Sequence, residues 1–292
     1  MSIWRTPRMR IDFQKMVAAG NDFVVVDHRD LRFQTVLPQL ARAFCDRHFG
    51  IGSDGLLLLE PSERADFRMG FLNPDGSSGM MCGNGGRAIA RFALAVGAAG
   101  KTMRFEAAGR IYRATLLDTA VKLILPAPRI IRELRVLTTS AGTLRCTAVD
   151  SGADHVVIDA DSLPAEVSSV DVTSLGREIR YHKSFSPAGT NVSFVGTLRE
   201  GIPEIRTYER GVEAETLACG TGSVAAACAL VAWGRTQYPV RLRTRSGATL
   251  VVDTLTEDGV EFASLTGDVH FVFSGSAEFD ETLGTLSSLH ES

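Results

Sequence analysis

The sequence lacks a long apolar run, an excess of one charge sign and closely spaced cysteines. No stretch approaches the roughly 18 consecutive apolar residues of a membrane helix, which excludes a spanning helix. The net charge of −3 gives no electrostatic reason for binding nucleic acid or an anionic membrane. The five cysteines are odd in number and have no CxxC spacing, so neither a disulfide framework nor a zinc site is indicated. The basic start of the chain has no apolar run typical of a signal peptide, so we expect a cytoplasmic protein.

The composition and length are those of a globular protein with two domains. Of the 292 residues, 45% are hydrophobic and 22% are charged, which is ordinary for a globular chain. This length suffices for two domains of about 150 residues, each with its own core. Pro126 and Pro128 interrupt the pattern near the middle. We therefore expect an N-terminal domain of residues 1–126 plus about 268–292, and a C-terminal domain of residues 127–267.

Two glycine-rich segments each begin with a cysteine and continue into small apolar residues. The first is CGNGGR at residues 82–87, and the second is CGTGS at residues 219–223. Each is typical of a loop that leads into a buried helix with a thiol at its N-terminus. Unpaired N–H groups and the helix dipole at that position lower the pKa of a thiol. One such segment in each half of the chain predicts a site with two thiols, Cys82 and Cys219.

Short apolar and β-branched runs indicate an α+β protein with many strands and few helices. Apolar residues at Leu37, Leu40, Ala41 and Phe44 predict an amphipathic helix over residues 37–48. Strands are predicted at residues 23–27, 55–59, 67–72, 102–106, 112–117, 121–125, 144–149, 155–158, 192–195, 205–208, 241–245, 249–252, 260–265 and 269–273.

An internal similarity supports two related domains. Residues 19–25 (AGNDFVV) and 188–194 (AGTNVSF) share a small-residue turn, an asparagine and a following strand. Because Asn21 is farther from Cys82 than Asn191 is from Cys219, this pairing predicts a duplicated unit with a larger insertion in the first copy. Paired domains commonly bind their ligand in the cleft between them, so we expect the active site there.

These motifs together resemble those of the diaminopimelate epimerases. The defining stretch is NPDGS at residues 73–77, followed after four residues by CGNGGR. Further landmarks follow the family order at residues 20–23 (GNDF), 189–192 (GTNV) and 208–222 (YERG, then ACGTG). The resemblance implies two pseudo-symmetric domains, each a set of strands wrapped around a central helix. It also implies epimerisation of LL- to meso-diaminopimelate for lysine and cell-wall synthesis, without pyridoxal phosphate or metal.

The resemblance also implies roles for individual residues. Cys82 and Cys219 are the catalytic pair, and His155 and Glu209 tune their pKa values. Arg210 and Asn191 hold the distal end of the substrate together with Asn73, while Asn21 lies nearer the reacting end. The substrate-binding set is Asn21, Asn73, Gly83, Asn84, Asn191, Glu209, Arg210, Gly220 and Thr221.

The chemistry of the residues fits this assignment independently. Inversion at a Cα–H centre needs a base on one face and an acid on the other, and two thiols can exchange these roles. An ordinary thiol has a pKa of about 8.5, so we expect the two helix N-termini to lower it. The N–H groups of Gly83, Asn84, Gly220 and Thr221 can bind the substrate carboxylate as negative charge develops. No cofactor is expected, because no lysine motif offers a Schiff base.

Simpler interpretations hold for the other candidates. Cys45, Cys146 and Cys228 fit apolar positions of a helix or strand and are interpreted as buried hydrophobic residues. The remaining histidines are scattered and are interpreted as surface or packing residues. His155 alone would be a turn residue, and the three asparagines alone would be turn residues as well. Glu209 and Arg210 would point to opposite faces of a regular strand, so a shared ligand requires a bend, which Gly211 permits.

The sequence departs from the family pattern at four places. Some members have glutamine at the position of Gly55 and asparagine at the position of Ala153. The usual His-Gly before the first GNDF is Val17-Ala18 here, and a proline before the histidine is Asp154. These departures concern substrate affinity and preference, whereas both cysteines are retained.

Three other functions are considered beside the epimerase. The first is a racemase of another amino acid, although Asn73, Asn191 and Arg210 argue for a substrate with a second amino acid head. The second is a Cys-His thiol hydrolase, which leaves one cysteine unused. The third is a non-catalytic amino-acid-binding module, which would not need both thiols. We expect the ligand to be a small amino acid and expect no nucleic acid or membrane partner. A homodimer is the oligomeric state that we consider.

Overall fold

The computed structural model describes residues 8–132, 136–163, 166–197 and 201–291. The basic residues 1–7 considered above lie outside these ranges. The chain has a mixed α+β fold, which confirms the predicted class. Two compact units are present: one contains the chain up to Leu123 together with the chain from Asp268 onward, and the other is Ile124–Gly267.

The helices and strands of the described residues are numbered in chain order. The helices are α1 (Leu37–Cys45), α2 (Gly83–Ala95), α3 (Val172–Arg180) and α4 (Gly220–Ala232). The strands are β1 (Arg8–Ala18), β2 (Asn21–Asp27), β3 (Gly55–Glu60), β4 (Phe67–Leu72), β5 (Thr102–Ala107), β6 (Arg110–Leu116), β7 (Ala120–Pro126), β8 (Arg129–Arg132), β9 (Leu137–Thr139), β10 (Gly142–Leu144), β11 (Cys146–Asp150), β12 (Asp154–Asp159), β13 (Asn191–Thr197), β14 (Pro203–Glu209), β15 (Ala214–Thr216), β16 (Val240–Arg243), β17 (Thr249–Glu257), β18 (Val260–Asp280) and β19 (Thr285–Glu291).

The first unit is a closed eight-stranded barrel around helix α2. Its strands pair in the order β18, β1, β2, β3, β4, β5 and β6, and β7 pairs with β18 to complete the barrel. Helix α2 contacts β1, β2, β3, β4 and β6 from inside, and α1 packs on β3 from outside. Because both faces of β3 are covered, its run of leucines from Leu56 to Leu59 is buried without alternation.

The second unit surrounds helix α4 in the same way. Its strands pair in the order β8, β11, β12, β13, β14, β16, β17 and β18. Helix α4 contacts six of them, from β11 to β14 and β16 to β17. Its sequence is apolar on all sides, which is typical of a helix without a solvent face. The short strands β9 and β10 form a separate hairpin.

The two units repeat one topology, which corrects the duplication proposed from the sequence. In the first unit β2 runs parallel to β3 after a crossover through α1, and in the second β12 runs parallel to β13 after a crossover through α3. Phe23 lies opposite Gly55, and His155 lies opposite Asn191. The sequence similarity paired β2 with β13, which are not equivalent strands. The stretch from β2 to Cys82 and the stretch from β12 to Cys219 are equivalent and have similar lengths. The larger insertion inferred for the first copy is therefore wrong.

Most predicted helices and strands are confirmed, and several differ from the prediction in where they begin or end. The predicted helix over residues 37–48 ends at Cys45, because Asp46 is extended and its carboxylate accepts hydrogen bonds from the N–H groups of His48 and Phe49. The strand predicted at 144–149 is interrupted at Arg145, between β10 and β11. The strands predicted at 260–265 and 269–273 are one continuous strand, β18. Strands β1, β8, β9, β15 and β19 and helix α3 were not predicted.

Candidate active site

Cys82 is the residue that caps the N-terminus of α2. Its backbone is extended, and its Sγ accepts a hydrogen bond from the Gly85 N–H at 3.5 Å. The thiol therefore satisfies one of the N–H groups that a helix start leaves unpaired. The predicted placement of a thiol at a helix start is confirmed for the first segment.

Cys219 caps α4 with the same geometry. Its Sγ accepts a hydrogen bond from the Gly222 N–H at 3.4 Å and lies 3.5 Å from Thr221 Oγ1. Both helices are 13 residues long, so the two units carry matching helices with matching thiol caps. At Gly222 a Cβ atom would lie 3.0 Å from the hydroxyls of Ser193 and Thr207, which leaves little room for any other residue.

Glu209 gives Cys219 an environment that favours the protonated thiol. Burial raises the pKa of the Cys219 thiol well above its usual range, and the neighbouring Glu209 charge raises it further. Hydrogen bonds from Thr221 and Gly222 lower this pKa but do not outweigh burial. The Glu209 carboxylate accepts a hydrogen bond from Thr216 Oγ1 at 2.6 Å, and burial raises its own pKa. The helix start does lower the pKa of this thiol through the Gly222 N–H, but burial and Glu209 outweigh it, so the lowered pKa expected for Cys219 is wrong.

His155 reaches Cys219 only through Thr221. Its Nε2 lies 3.0 Å from Thr221 Oγ1, and its Nδ1 lies 3.1 Å from Ser193 Oγ. Burial, with the Arg210 charge, lowers the pKa of the imidazole to about 3, so His155 is neutral. A Cys-His hydrolase needs its histidine within hydrogen-bond reach of the thiol, and here both ring nitrogens are used by hydroxyls.

Asn191 fixes the turn that carries Arg210. Its side-chain oxygen accepts a hydrogen bond from the Arg210 N–H at 2.8 Å, and its side-chain nitrogen donates to the Asp154 carbonyl at 2.9 Å. The Arg210 guanidinium donates to the Gly189 carbonyl at 3.3 Å and lies 3.8 Å from the Asp154 carboxylate. Strand β14 ends at Glu209, and Gly211 has a φ of 94°, so the expected bend at this pair is present.

Asn21 and Asn84 belong to one hydrogen-bonded network in the first unit. Arg87 Nη2 donates to Asn84 Oδ1 at 2.7 Å, and Asn84 Nδ2 donates to Asn21 Oδ1. Asn21 Nδ2 in turn donates to Asp54 Oδ2 at 2.9 Å. A guanidinium can only donate and a carboxylate can only accept, so the two ends determine the orientation of both amides.

Charged groups extend this network beyond Asp54. Arg47 bridges the carboxylates of Asp22 and Asp54, at 2.8 Å and 2.7 Å. Lys15 pairs with Asp22 at 2.7 Å, and the two cations lower the pKa of this carboxyl to about 2 although burial acts in the opposite direction. The cluster therefore ties the start of β2 to the residue before β3.

Asn73 lies in an exposed turn after β4. Its side-chain nitrogen donates to Ser77 Oγ at 2.9 Å, and its backbone N–H donates to the Ser77 carbonyl at 2.9 Å. Gly76 has a φ of 85°, which the NPDG turn requires. These contacts close the turn on itself, and they are local.

The space beside Gly55 is filled by Phe71. A Cβ atom at Gly55 would lie 2.3 Å from the edge of the Phe71 ring, and one at Gly79 would lie 2.2 Å from it. The strand registers make Gly55 equivalent to Asn191 and Asn21 equivalent to Ala153. The first unit thus has an amide at Asn21 and a small residue at Gly55. The second unit has a small residue at Ala153 and an amide at Asn191.

The three remaining cysteines differ from the two caps in position, because Cys45 and Cys228 lie within helices and Cys146 lies in strand β11. Burial affects their thiols. It raises the pKa of Cys45 and of Cys146 to about 11, and it raises that of Cys228 as well. These raised pKa values agree with the interpretation of the three residues as packing residues. No disulfide joins the five cysteines, all of which lie in the described ranges.

Three residues of this environment were not singled out from the sequence. Arg87 lies in the CGNGGR segment, and a charged residue in a stretch predicted to be buried could have indicated a role in the site. Ser193 and Thr216 gave no signal, because single hydroxyl residues in strands are common. Only the fold brings them to His155 and Glu209.

Comparison with known proteins gives the family. The diaminopimelate epimerase family model matches residues 13–123 and 147–272. The chain belongs to the diaminopimelate epimerase family. A diaminopimelate epimerase of Aquifex aeolicus is 39% identical over 279 residues, covering 91% of this chain and 97% of the relative. One of Chlorobaculum tepidum is 44% identical over 241 residues, covering 81% and 90%.

Solved structures share the fold of this diaminopimelate epimerase family member at low identity. A hydroxyproline epimerase from Agrobacterium vitis, with bound trans-4-hydroxy-L-proline, has a TM-score of 0.70 at 18% identity and covers 96% of this chain and 95% of its own. A phenazine biosynthesis protein of the PhzF family from Bacillus anthracis has a TM-score of 0.70 at 13% identity, covering 92% and 99%.

Among the described residues, no helix is long and apolar enough to span a membrane. These residues also contain no group of three or more histidine, cysteine or acidic side chains suited to hold a metal ion.

Proposed function

We propose that this protein epimerises LL-2,6-diaminopimelate to meso-diaminopimelate, the reaction that supplies lysine and peptidoglycan precursors. The observation that supports this most strongly is the pair of 13-residue helices, each capped by a cysteine, in a member of this family. We further propose that the protein works in the cytoplasm as a homodimer and without a cofactor.

The proposed mechanism uses one thiolate and one thiol. The thiolate removes the proton from the α-carbon on one face, and the thiol delivers its own proton to the opposite face. One proton is lost and one is gained by the substrate, while the two sulfurs exchange protonation states. The raised pKa of Cys219 favours its protonated form. When the reaction starts from this form, Cys219 donates the proton and Cys82 is the base.

Negative charge on the substrate must be stabilised without an electron sink. The N–H groups at the two helix starts, at Gly83, Asn84, Gly220 and Thr221, are proposed to bind the reacting carboxylate as charge develops. Glu209 and His155 adjust the environment of Cys219, directly and through Thr221.

The distal amino acid head is proposed to bind at Arg210, Asn191 and Asn73, with Asn21 nearer the reacting end. A guanidinium held at the end of β14 can bind a carboxylate through two parallel hydrogen bonds. The Asp154 carboxylate beside Arg210 carries a negative charge suited to the distal ammonium group.

The second candidate function is a racemase of another amino acid. Gly55 and Ala153 support this candidate, because they lack the polar side chains that some family members have at these positions. The discriminating experiment is α-proton exchange in D₂O, followed by NMR with LL-diaminopimelate, lysine, histidine and glutamate. Exchange and inversion fastest with diaminopimelate support the proposal. Preference for an amino acid with a single head would contradict the substrate while leaving the two-thiol chemistry intact.

A further inference from the structure

Arg87 is a fully buried cation whose hydrogen bonds, within the part of the chain that the structure describes, go to neutral oxygens. Its side chain is 0% exposed, and it donates to the Gly83 carbonyl at 3.3 Å and to Asn84 Oδ1 at 2.7 Å. Its Nε has no hydrogen-bond partner among the described residues. Buried charges in proteins are normally paired with an opposite charge, because removing an ion from water is costly. The packing of α2 therefore does not explain why this residue is charged.

The second unit shows that this helix does not need a charge at that position. The residue five places after Cys219 is Val224, which is fully buried in α4. The two thiols consequently have opposite electrostatic neighbours. A cation follows Cys82 in its own helix, whereas the carboxylate of Glu209 lies beside Cys219.

Cys82 is the nearer in effect of two charge partners of Arg87 among the described residues. Burial lowers the pKa of the guanidinium to about 10, and the charges of Cys82 and, more weakly, of Asp268 in β18 act in the opposite direction. Arg87 therefore remains positive at neutral pH. Farther along the network, the carboxylates of Asp54 and Asp22 are already paired with cations.

We propose that Arg87 is a positioning residue for Cys82: its buried charge holds that sulfur as the thiolate, and its hydrogen bond orients the Asn84 amide beside it. Because a charge interaction is mutual, a cation that the sulfur stabilises also stabilises the anionic form of the sulfur. The inference rests on the proposed role of Cys82 as an acid–base group. It assigns the resting proton to Cys219 and the resting negative charge to Cys82.

The test measures alkylation of Cys82 by iodoacetamide from pH 5 to 9, in the full-length protein, with the modified peptide quantified by mass spectrometry. The variants are Arg87→Met, which removes the charge at similar volume, and Arg87→Lys, which keeps it. The matched control is Arg91→Met, one turn later on α2, where the guanidinium donates to the exposed Asp118 and Thr119 carbonyls. No substrate is needed, so the result is independent of the proposed function.

We expect Arg87→Met to raise the midpoint of the alkylation profile by about one pH unit and to slow alkylation near neutral pH about tenfold. Arg87→Lys should retain most of the wild-type rate, and Arg91→Met should match the wild type. The thermal midpoint of Arg87→Met should equal or exceed that of the wild type, because an apolar residue replaces a buried charge.

Two results would overturn the inference. One is a folded Arg87→Met variant with an unchanged midpoint. The other is an Arg87→Met variant that does not fold while Arg87→Lys does, because Arg87 would then be a structural residue. A wild-type protein with the expected Cys82 reactivity but no diaminopimelate epimerisation would contradict only the proposed function.

Discussion

At the scale of single residues, the two cysteine caps carry the proposed chemistry. We expect Cys82→Ser and Cys219→Ser each to reduce epimerisation by at least about 10²-fold, because a hydroxyl is a far weaker acid and base here. Cys228→Ser, on the same helix as Cys219, is the control and should change activity little. The measurement is the initial rate with LL-diaminopimelate. Near-normal turnover by either of the first two variants would contradict the mechanism.

The pH dependence of Cys219 follows from its carboxylate neighbour. The Glu209 charge raises the pKa of the Cys219 thiol, so Glu209→Gln should lower this pKa and move the alkylation profile of Cys219 to lower pH. The profile is measured in the Cys82→Ser background, with the exposed Glu261→Gln as control. A profile that stays in place or moves to higher pH would show that Glu209 does not act on this thiol.

Arg210 is the residue on which the substrate assignment depends. Removal of a charge-assisted contact costs about 1.5–3 kcal/mol, so Arg210→Ala should lower kcat/KM for diaminopimelate by roughly 10- to 150-fold. The exposed Arg241→Ala is a control of the same charge in the same unit. Unchanged kinetics in a folded Arg210→Ala variant would place the distal head of the substrate elsewhere.

At the scale of helices and strands, the sequence predicted where α2 and α4 begin, but it did not predict the pKa of the Cys219 thiol. The CGNGGR and CGTGS segments predicted α2 and α4, because a glycine-rich segment followed by small apolar residues is typical of a loop that leads into a buried helix. The raised pKa of Cys219 was not predictable, since it depends on the burial and the Glu209 contact that only the fold creates. Helix α3 had a usable signal in its Asp171 cap and its buried Leu175 and Ile179.

The internal duplication shows where sequence similarity misleads. The similarity paired the strand after Asn21 with the strand after Asn191, because both follow a small-residue turn. The strand registers pair Phe23 with Gly55 and His155 with Asn191, which makes Asn21 equivalent to Ala153 and Gly55 equivalent to Asn191. A turn composition recurs wherever a strand begins, whereas register depends on the hydrogen-bond ladder, which a single sequence does not contain.

Gly55 offers a test at this scale. Because Phe71 fills the space beside it, we expect Gly55→Gln to destabilise the protein by about 1–3 kcal/mol through overpacking. The control is Gly100→Gln, where the nearest atom to a new Cβ is 3.9 Å away and the change should be close to neutral. Chemical denaturation measures both. Equal stability of the two variants would show that Phe71 moves aside freely.

At the scale of the whole molecule, each of the two units presents its own thiol-capped helix. The proposed mechanism needs only these groups, so activity should survive chelators and hydroxylamine. It should be lost on thiol alkylation, with bound substrate protecting. Inactivation by a chelator that is reversed by added metal would contradict a cofactor-independent mechanism.

The central claim is that two thiols invert the substrate from opposite faces, and early deuterium incorporation tests it most directly. The enzyme is incubated with LL-diaminopimelate in D₂O, and the LL and meso pools are analysed by NMR and mass spectrometry during the first few per cent of conversion. Because the donor sulfur carries solvent deuterium, the account predicts one deuterium in each meso molecule and none in the recovered LL pool. Meso product that retains the original proton, or LL substrate labelled as fast as product forms, would show a single base and contradict the account.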